Sequence, residues 1–156
     1  MSQTTIRRAT RDDIPGLVAL ALREHAQSRM ASQPVDMPCV QANFLGVITG
    51  LASVVFVSEA APGQPNAGNL GGMVVGFVQP GLVNRRQTAF ELLWYAEDGS
   101  GLRLLAELQA WARRMRAVEL VVHNYAGIAD PVRFNKVMAR RGFGVMGTAY
   151  VSALEG

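Results

Sequence analysis

A half-apolar strand, FELLWYAE (90–97), runs through Asp98-Gly99-Ser100-Gly101 into an amphipathic helix, GLRLLAELQAWARRMR (101–116). The chemistry this arrangement suits is anion binding. The first turn of a helix carries backbone N–H groups with no intrahelical acceptor, the positive end of the helix dipole lies at the same place, and glycine lets a phosphate approach the backbone closely. The local alternative is a helix capped by Asp98 or Ser100, which capping preferences favour whatever the function.

The elements that position this turn can be read from the pattern around it. Thr4–Ala9 reads as a short strand. Thr10 followed by Asp13 resembles a capping box, and Ile14, Leu17, Val18, Ala21 and Leu22 recur at helical spacing, so a helix is predicted from Asp12 to about Arg29 with Pro15 in its first turn. After a connection over Ser28–Pro38, Asp36 and Pro38 start a second helix whose apolar stripe, Met37, Val40, Phe44, Val47 and Ile48, ends near Gly50. Cys39 lies in this stretch and is expected in the core. Ser53–Glu59 and Gly72–Gln79 flank a Pro/Gly/Asn-rich turn and should pair as an antiparallel hairpin, continued by Thr88–Glu97. The helix after the turn should bury Leu104, Leu105, Leu108, Trp111, Ala112 and Met115. Val118–His123 then forms a strand, parallel to the preceding one across the helix. A helix near Pro131–Arg141 and two short strands, GFGVMG and TAYVSAL, complete the chain.

Composition bounds the rest. The chain has 156 residues, about half of them apolar, which is enough for one domain with its own core. The lone Cys39 excludes an intramolecular disulfide, and no Cys/His spacing suggests zinc. With charge where a signal peptide would be apolar, a cytoplasmic location is expected. Fifteen Lys and Arg against twelve Asp and Glu leave a net charge of +3, almost all of the positive charge being arginine. Arg113, Arg114, Arg116, Arg140 and Arg141 read as solvated helix faces, so nucleic acid is not expected as a partner, and since no run approaches the length of a membrane span, no membrane is expected either.

This succession of elements, with IRRATRDDIPGLVAL at the start, ARRGF at 139–143 and the central turn, resembles the GNAT acetyltransferase superfamily over nearly the whole chain. ELLWYAE and GLRLLAELQAWAR are similar to phage-borne members in particular. The resemblance implies an α+β fold, a mixed and mostly antiparallel sheet with a central splayed parallel pair flanked by about four helices, in a single domain over 1–156. It implies acetyl-CoA as cosubstrate and a primary amine as acceptor, either a small molecule or a protein. By position, the pantetheine arm would contact Trp94, Tyr95 and Ala96, and Gly99, Ser100, Gly101 and Leu102 would face the pyrophosphate. Trp94 and Tyr95 point to opposite sheet faces, so one of them should be buried under helices and the other should look toward the cofactor. At the turn the chain departs from the family pattern in three respects: Ala96 stands at the usual basic or amide position, the turn is several residues short, and Glu97 and Asp98 bring carboxylates to it.

Acetyl transfer needs a base for the amine, a donor for the developing oxyanion and an acid for the departing thiolate. Glu91 lies near where some family members place a glutamate that draws the amine proton through water; otherwise it is a solvent-facing strand carboxylate. The oxyanion donor would be a backbone N–H around Trp94–Ala96. The family's frequent acid, a tyrosine four residues before the Gly of Gly-Phe, is replaced by Met138, and Tyr125 or Tyr150 would have to substitute. His25, on the acceptor side, and His123, beside Asn124 at a strand end, are further candidates that serve equally well as surface or loop residues. Acceptor choice would fall to the first two helices, the 28–38 connection and the loop before Thr88. Two readings stay open: an acetyl-CoA-dependent N-acetyltransferase, and a protein that keeps this fold as a non-catalytic binding or inhibitory module. A homodimer through the terminal strands is a further option.

Overall fold

The computed structural model describes residues 4–64, 68–123, 130–147, 149–152 and 154. The chain resolves into two compact units, Met1–His123 and Asn124–Gly156. The first contains β1 (Thr4–Arg8), a 3₁₀ turn (Arg11–Asp13), α1 (Ile14–Gln27), α2 (Met37–Thr49), β2 (Ser53–Ala60), β3 (Leu70–Pro80), β4 (Gln87–Ala96), α3 (Gly101–Arg114) and β5 (Ala117–Val121). The second contains α4 (Pro131–Arg140), capped by Asp130, whose side chain accepts from the Val132 and Arg133 N–H groups. The architecture is therefore α+β, with the five strands in sequential order, antiparallel except for the parallel β4–β5 pair.

The sheet is covered on both faces, which explains the continuous apolar runs of its inner strands. In β2, Val55 and Val57 join Met73 and Val75 under Leu17, Val18, Leu20 and Phe44 of α1 and α2. On the other face, Val54 and Phe56 join Val74, Val78 and Ala89 under Leu104, Leu108 and Trp111 of α3. The stripes predicted for α1, α2 and α3 are the faces that pack here, except that Met37, at the start of α2, is exposed. Cys39 is a correction: it is exposed, because it sits one position off the Val40–Phe44 stripe. The terminal strands are a second correction. Among the described residues no strand follows β5; the glycines at 142, 144 and 147 account for this in GFGVMG, since glycine gives a strand no side-chain packing, while residues 148 and 153 of TAYVSAL lie outside the described residues.

The start of α1 is fastened electrostatically. Asp13 accepts from the Thr10 N–H at 2.7 Å, completing the capping box, and its two oxygens take Arg7 Nη1 and Nη2 at 2.8 Å, while Arg7 Nε reaches Glu59 at 2.5 Å. The hydrogen bonds from Arg7 hold the Asp13 carboxyl below its ordinary range. A lowered folded-state value means that this stability is present above the ordinary value of 3.8 and is lost as pH falls through the folded one. Since the Arg7 side chain is one-third exposed, solvent screening limits the gain. Arg7→Ala should lower unfolding free energy by about 1 kcal/mol at neutral pH. In urea melts that deficit should shrink as pH is taken below 3.8.

Candidate functional site

The β4–β5 ladder is short. It pairs Gln87–Phe90 with Ala117–Val121 and stops there, although β4 continues to Ala96 alongside β3. Just past the last rung, β4 also carries a β-bulge: Glu91 pairs with Gly76 and Leu93 with Val75, leaving Leu92 as the extra residue. Bulges twist a strand and end pairing, so the two parallel strands part where Glu91 stands. The Glu91 side chain continues the connection that the backbone abandons, accepting from the His123 N–H at 3.1 Å. Its oxygen also lies 3.7 Å from His123 Nδ1.

Glu91 is thus not a solvent-facing strand carboxylate. Its side chain is only 3% exposed, against 42% for His123. Burial raises its pKa above the ordinary 4.5, opposed by the hydrogen bond from the His123 backbone. A carboxyl raised in this way is better matched to taking a proton near neutral pH. The raised value also fixes the sign of the stability effect: stability is greatest below 4.5 and is lost as pH rises through the folded-state value. Glu91→Gln keeps an acceptor for His123 and removes the buried charge. It should flatten the fall in melting temperature between acidic and neutral pH, read by thermal melts across that range.

At the end of β4 the two acidic residues are exposed, and each is held by partners within the protein. Glu97 turns toward α1, where Arg23 Nε donates at 2.7 Å and the Tyr95 hydroxyl, itself held by Gln27, donates at 2.8 Å. The bonds from Arg23 and Tyr95 lower the Glu97 pKa. Asp98 turns toward the sheet: the buried Ser58 Oγ donates to it at 2.8 Å and the Ser100 N–H at 3.0 Å. Burial works against the Asp98 charge, but these bonds outweigh it and keep the carboxyl below its ordinary range. Gly71 makes room for this carboxylate, since a Cβ there would lie 2.4 Å from Asp98 Oδ2.

What remains at the turn is backbone. Gly99 has φ +77°, a conformation that favours glycine, and a Cβ built on it meets nothing within 4 Å. Among the described residues, the N–H groups of Gly99 and Gly101 have no acceptor, while Ser100 accepts at its carbonyl from the N–H groups of Arg103 and Leu104. The Ser100 hydroxyl is buried beside the Asp98 carboxylate, which it helps to hold in its charged form. A helix start that presents glycine N–H groups, with no side chain over Gly99, fits a diphosphate.

The two aromatic residues of β4 do divide between the faces, but burial under helices is not confined to one of them. Trp94 packs in the α3-side cluster and donates Nε1–H to the Gly101 carbonyl at 3.0 Å, and Tyr95 packs in the α1–α2 cluster. Both faces have helices, so both rings find cover. Ala96 packs on the α3 side and Leu102 is half-buried at the start of α3. His25 is engaged at the end of α1, its Nε2 lying 3.1 Å from the Gln33 carbonyl oxygen. Tyr150 is exposed, in the second unit. Tyr125 and Asn124 lie outside the described residues. The loop before Thr88 is at the opposite end of β4 from the turn, about 30 Å away along a ten-residue strand.

Sequence reading missed Ser58, Arg23 and Gly71, the residues that neutralise or house the acidic turn. The available signal was the Gly71-Gly72 pair inside an apolar strand, since glycine there often marks a close approach. Among the described residues no group of three His, Cys, Asp or Glu side chains could hold a metal ion. No described helix is long and apolar enough to cross a membrane.

No family model matches the sequence, and no curated protein matches it. Solved structures do match its fold. A glucosamine-6-phosphate N-acetyltransferase from Arabidopsis thaliana is 12% identical, with 98% of this chain and 99% of that one covered and a TM-score of 0.73. An acetyltransferase from Trypanosoma brucei is 15% identical over 97% of this chain and 100% of that one, with a TM-score of 0.72. AAC(6')-Iy, solved in complex with the bisubstrate analog CoA-S-monomethyl-acetylneamine, is 13% identical over 99% of this chain and 100% of that one, also with a TM-score of 0.72. With the splayed β4–β5 pair and the glycine turn on α3, these likenesses establish that the chain has the fold of the GNAT acetyltransferase superfamily.

Proposed function

We propose that this chain is an acetyl-CoA-dependent N-acetyltransferase acting on a primary amine by direct attack. The observation that carries the reading is that Glu97 and Asp98 are both engaged by protein partners, Glu97 by Arg23 and Asp98 by Ser58 and the Ser100 N–H. Two carboxylates beside the glycine turn would repel a diphosphate if they faced it; here each is held by partners within the protein, and the glycine N–H groups are left for the ligand.

In this reading Gly99, Ser100, Gly101 and Leu102 hold the pyrophosphate, and Trp94, Tyr95 and Ala96, beyond the β4–β5 ladder, border the pantetheine arm. When bound, acetyl-CoA supplies an activated acetyl group as a thioester. Glu91 takes the proton that the acceptor ammonium must lose before its nitrogen can attack. Backbone N–H groups around Trp94–Ala96 stabilise the charge that develops on the acyl oxygen. For the proton that the departing thiolate needs, Met138 offers none, and Tyr125, the residue the sequence suggests, lies outside the described residues. The acceptor is a small-molecule or protein amine.

The second reading, a non-catalytic module on the same fold, is favoured by one observation: Asp98 does accept from the Ser100 N–H, as a self-capped turn would. Calorimetric titration with acetyl-CoA and with desulfo-CoA separates the two. The enzyme reading expects micromolar binding of both ligands. An absence of binding up to millimolar ligand would overturn it and leave the fold reused without its cofactor.

A further inference from the structure

At the end of the sheet away from the glycine turn, the β3–β4 loop carries two aliphatic side chains with nothing against them. Leu82 is 102% exposed and Val83 91%. The Gly81 N–H donates to the Arg86 carbonyl at 2.8 Å, and the Asn84 side chain accepts from the Arg86 N–H at 2.9 Å. The loop is therefore a closed excursion, with Leu82 and Val83 on it and Arg85 and Arg86 on its returning side. Leu51, 96% exposed, lies at the same end, because the next residue, Ala52, accepts from the Val78 N–H near the end of β3.

Arginines gather around this tip. Gln87 pairs with Ala117, so Arg86 and Arg116 are neighbours across the β4–β5 edge, and Arg113 and Arg114 end the adjoining helix α3. Arg116 has φ 58°, a left-handed position normally given to glycine after a helix. A charged side chain is kept there in spite of the backbone strain. Residues 81–88 and 113–118 contain five arginines and no carboxylate. The nearest acidic residue of β5, Glu119, accepts from the Thr88 hydroxyl.

We propose that this tip docks the protein on an anionic phospholipid bilayer, Leu82 and Val83 entering the interface and the surrounding arginines lying among the headgroups. The charge pattern rules against a second copy of the chain, because a twofold contact would set these arginines against each other. The order of the chemistry decides among the anionic partners. A projecting apolar tip ringed by cations requires a partner that is anionic at its surface and apolar immediately below, and a bilayer has that layering everywhere. A nucleic acid offers phosphates without an accessible apolar layer. An acidic protein would need an apolar pocket matched to the tip. The expectation of no membrane partner rested on the absence of an apolar span, and a peripheral contact needs none.

The test is co-sedimentation of the full chain with phosphatidylcholine vesicles, with and without phosphatidylglycerol, at low and at physiological salt. Binding should require phosphatidylglycerol. It should fall by roughly tenfold in Arg85→Gln/Arg86→Gln, and by a similar factor in Leu82→Ser/Val83→Ser, which leaves every charge in place. Both pairs are exposed, so unchanged melting curves should confirm that the variants fold. No sedimentation with anionic vesicles at low salt would overturn the proposal, as would loss in the arginine pair with none in the aliphatic pair, which would mark unspecific attraction. Retention on duplex DNA or on an acidic polypeptide without vesicle binding would also overturn it, in favour of those partners.

Discussion

Gly101→Glu should weaken acetyl-CoA binding by at least about a hundredfold while leaving the melting temperature unchanged or slightly raised. The two effects have opposite signs for one reason. A carboxylate in the first turn of α3 interacts favourably with the positive end of the helix, a gain of about 0.3–1 kcal/mol in folding. In the same place it occupies the diphosphate site with like charge. Sterically the substitution is mild, because a Cβ on Gly101 would lie 3.5 Å from Trp94 Nε1 and 3.8 Å from the Ala96 Cβ, ordinary contact distances. Calorimetry and thermal melts on the same preparation give both readouts. Unchanged affinity would take the turn out of the cofactor site, and a collapse in melting temperature would mean that the site cannot be tested this way.

The largest stability effect is expected where α3 presses on the sheet. Leu108 is fully buried and packs with Val54, Val74 and Val78, so Leu108→Ala should cost about 3 kcal/mol in urea unfolding. Gly76, in β3, faces the same side chain: a Cβ there would fall 2.4 Å from Leu108 Cδ1 and 3.2 Å from the Phe90 carbonyl oxygen. Gly76→Ala should therefore cost about 1–3 kcal/mol by overpacking. The double variant is the informative one. Because Leu108→Ala removes the atoms that the new methyl would strike, the two costs should not add, and the pair should be little less stable than Leu108→Ala alone. Full additivity would show that Gly76 is required for its backbone and not for the space it leaves.

Most elements were legible before any coordinate. The stripes of α1, α2 and α3, the hairpin of β2 and β3 and the parallel return of β5 are local patterns or short-range connections, and they appear within a residue or two of the expected bounds. The glycine turn was legible for the same reason. What failed locally was finer. Cys39 differs from its stripe by one position, which a periodicity reading blurs, and the glycine-containing tail had the composition of strands without residues to hold a ladder.

The sequence by itself determined most of the secondary elements, their order, and the glycine turn at the start of α3, because these follow from spacing and side-chain type within a few positions. Only the tertiary structure decided what the charges near that turn do. Glu97 is met by Arg23, 74 positions away, and Asp98 by Ser58, 40 positions away; Glu91 is buried because β5 ends beside it and offers the His123 N–H. Whether a carboxylate repels a ligand, caps a turn or takes a proton depends on its burial and its partners. Both are set by segments distant in the chain, and the fold alone brings them together.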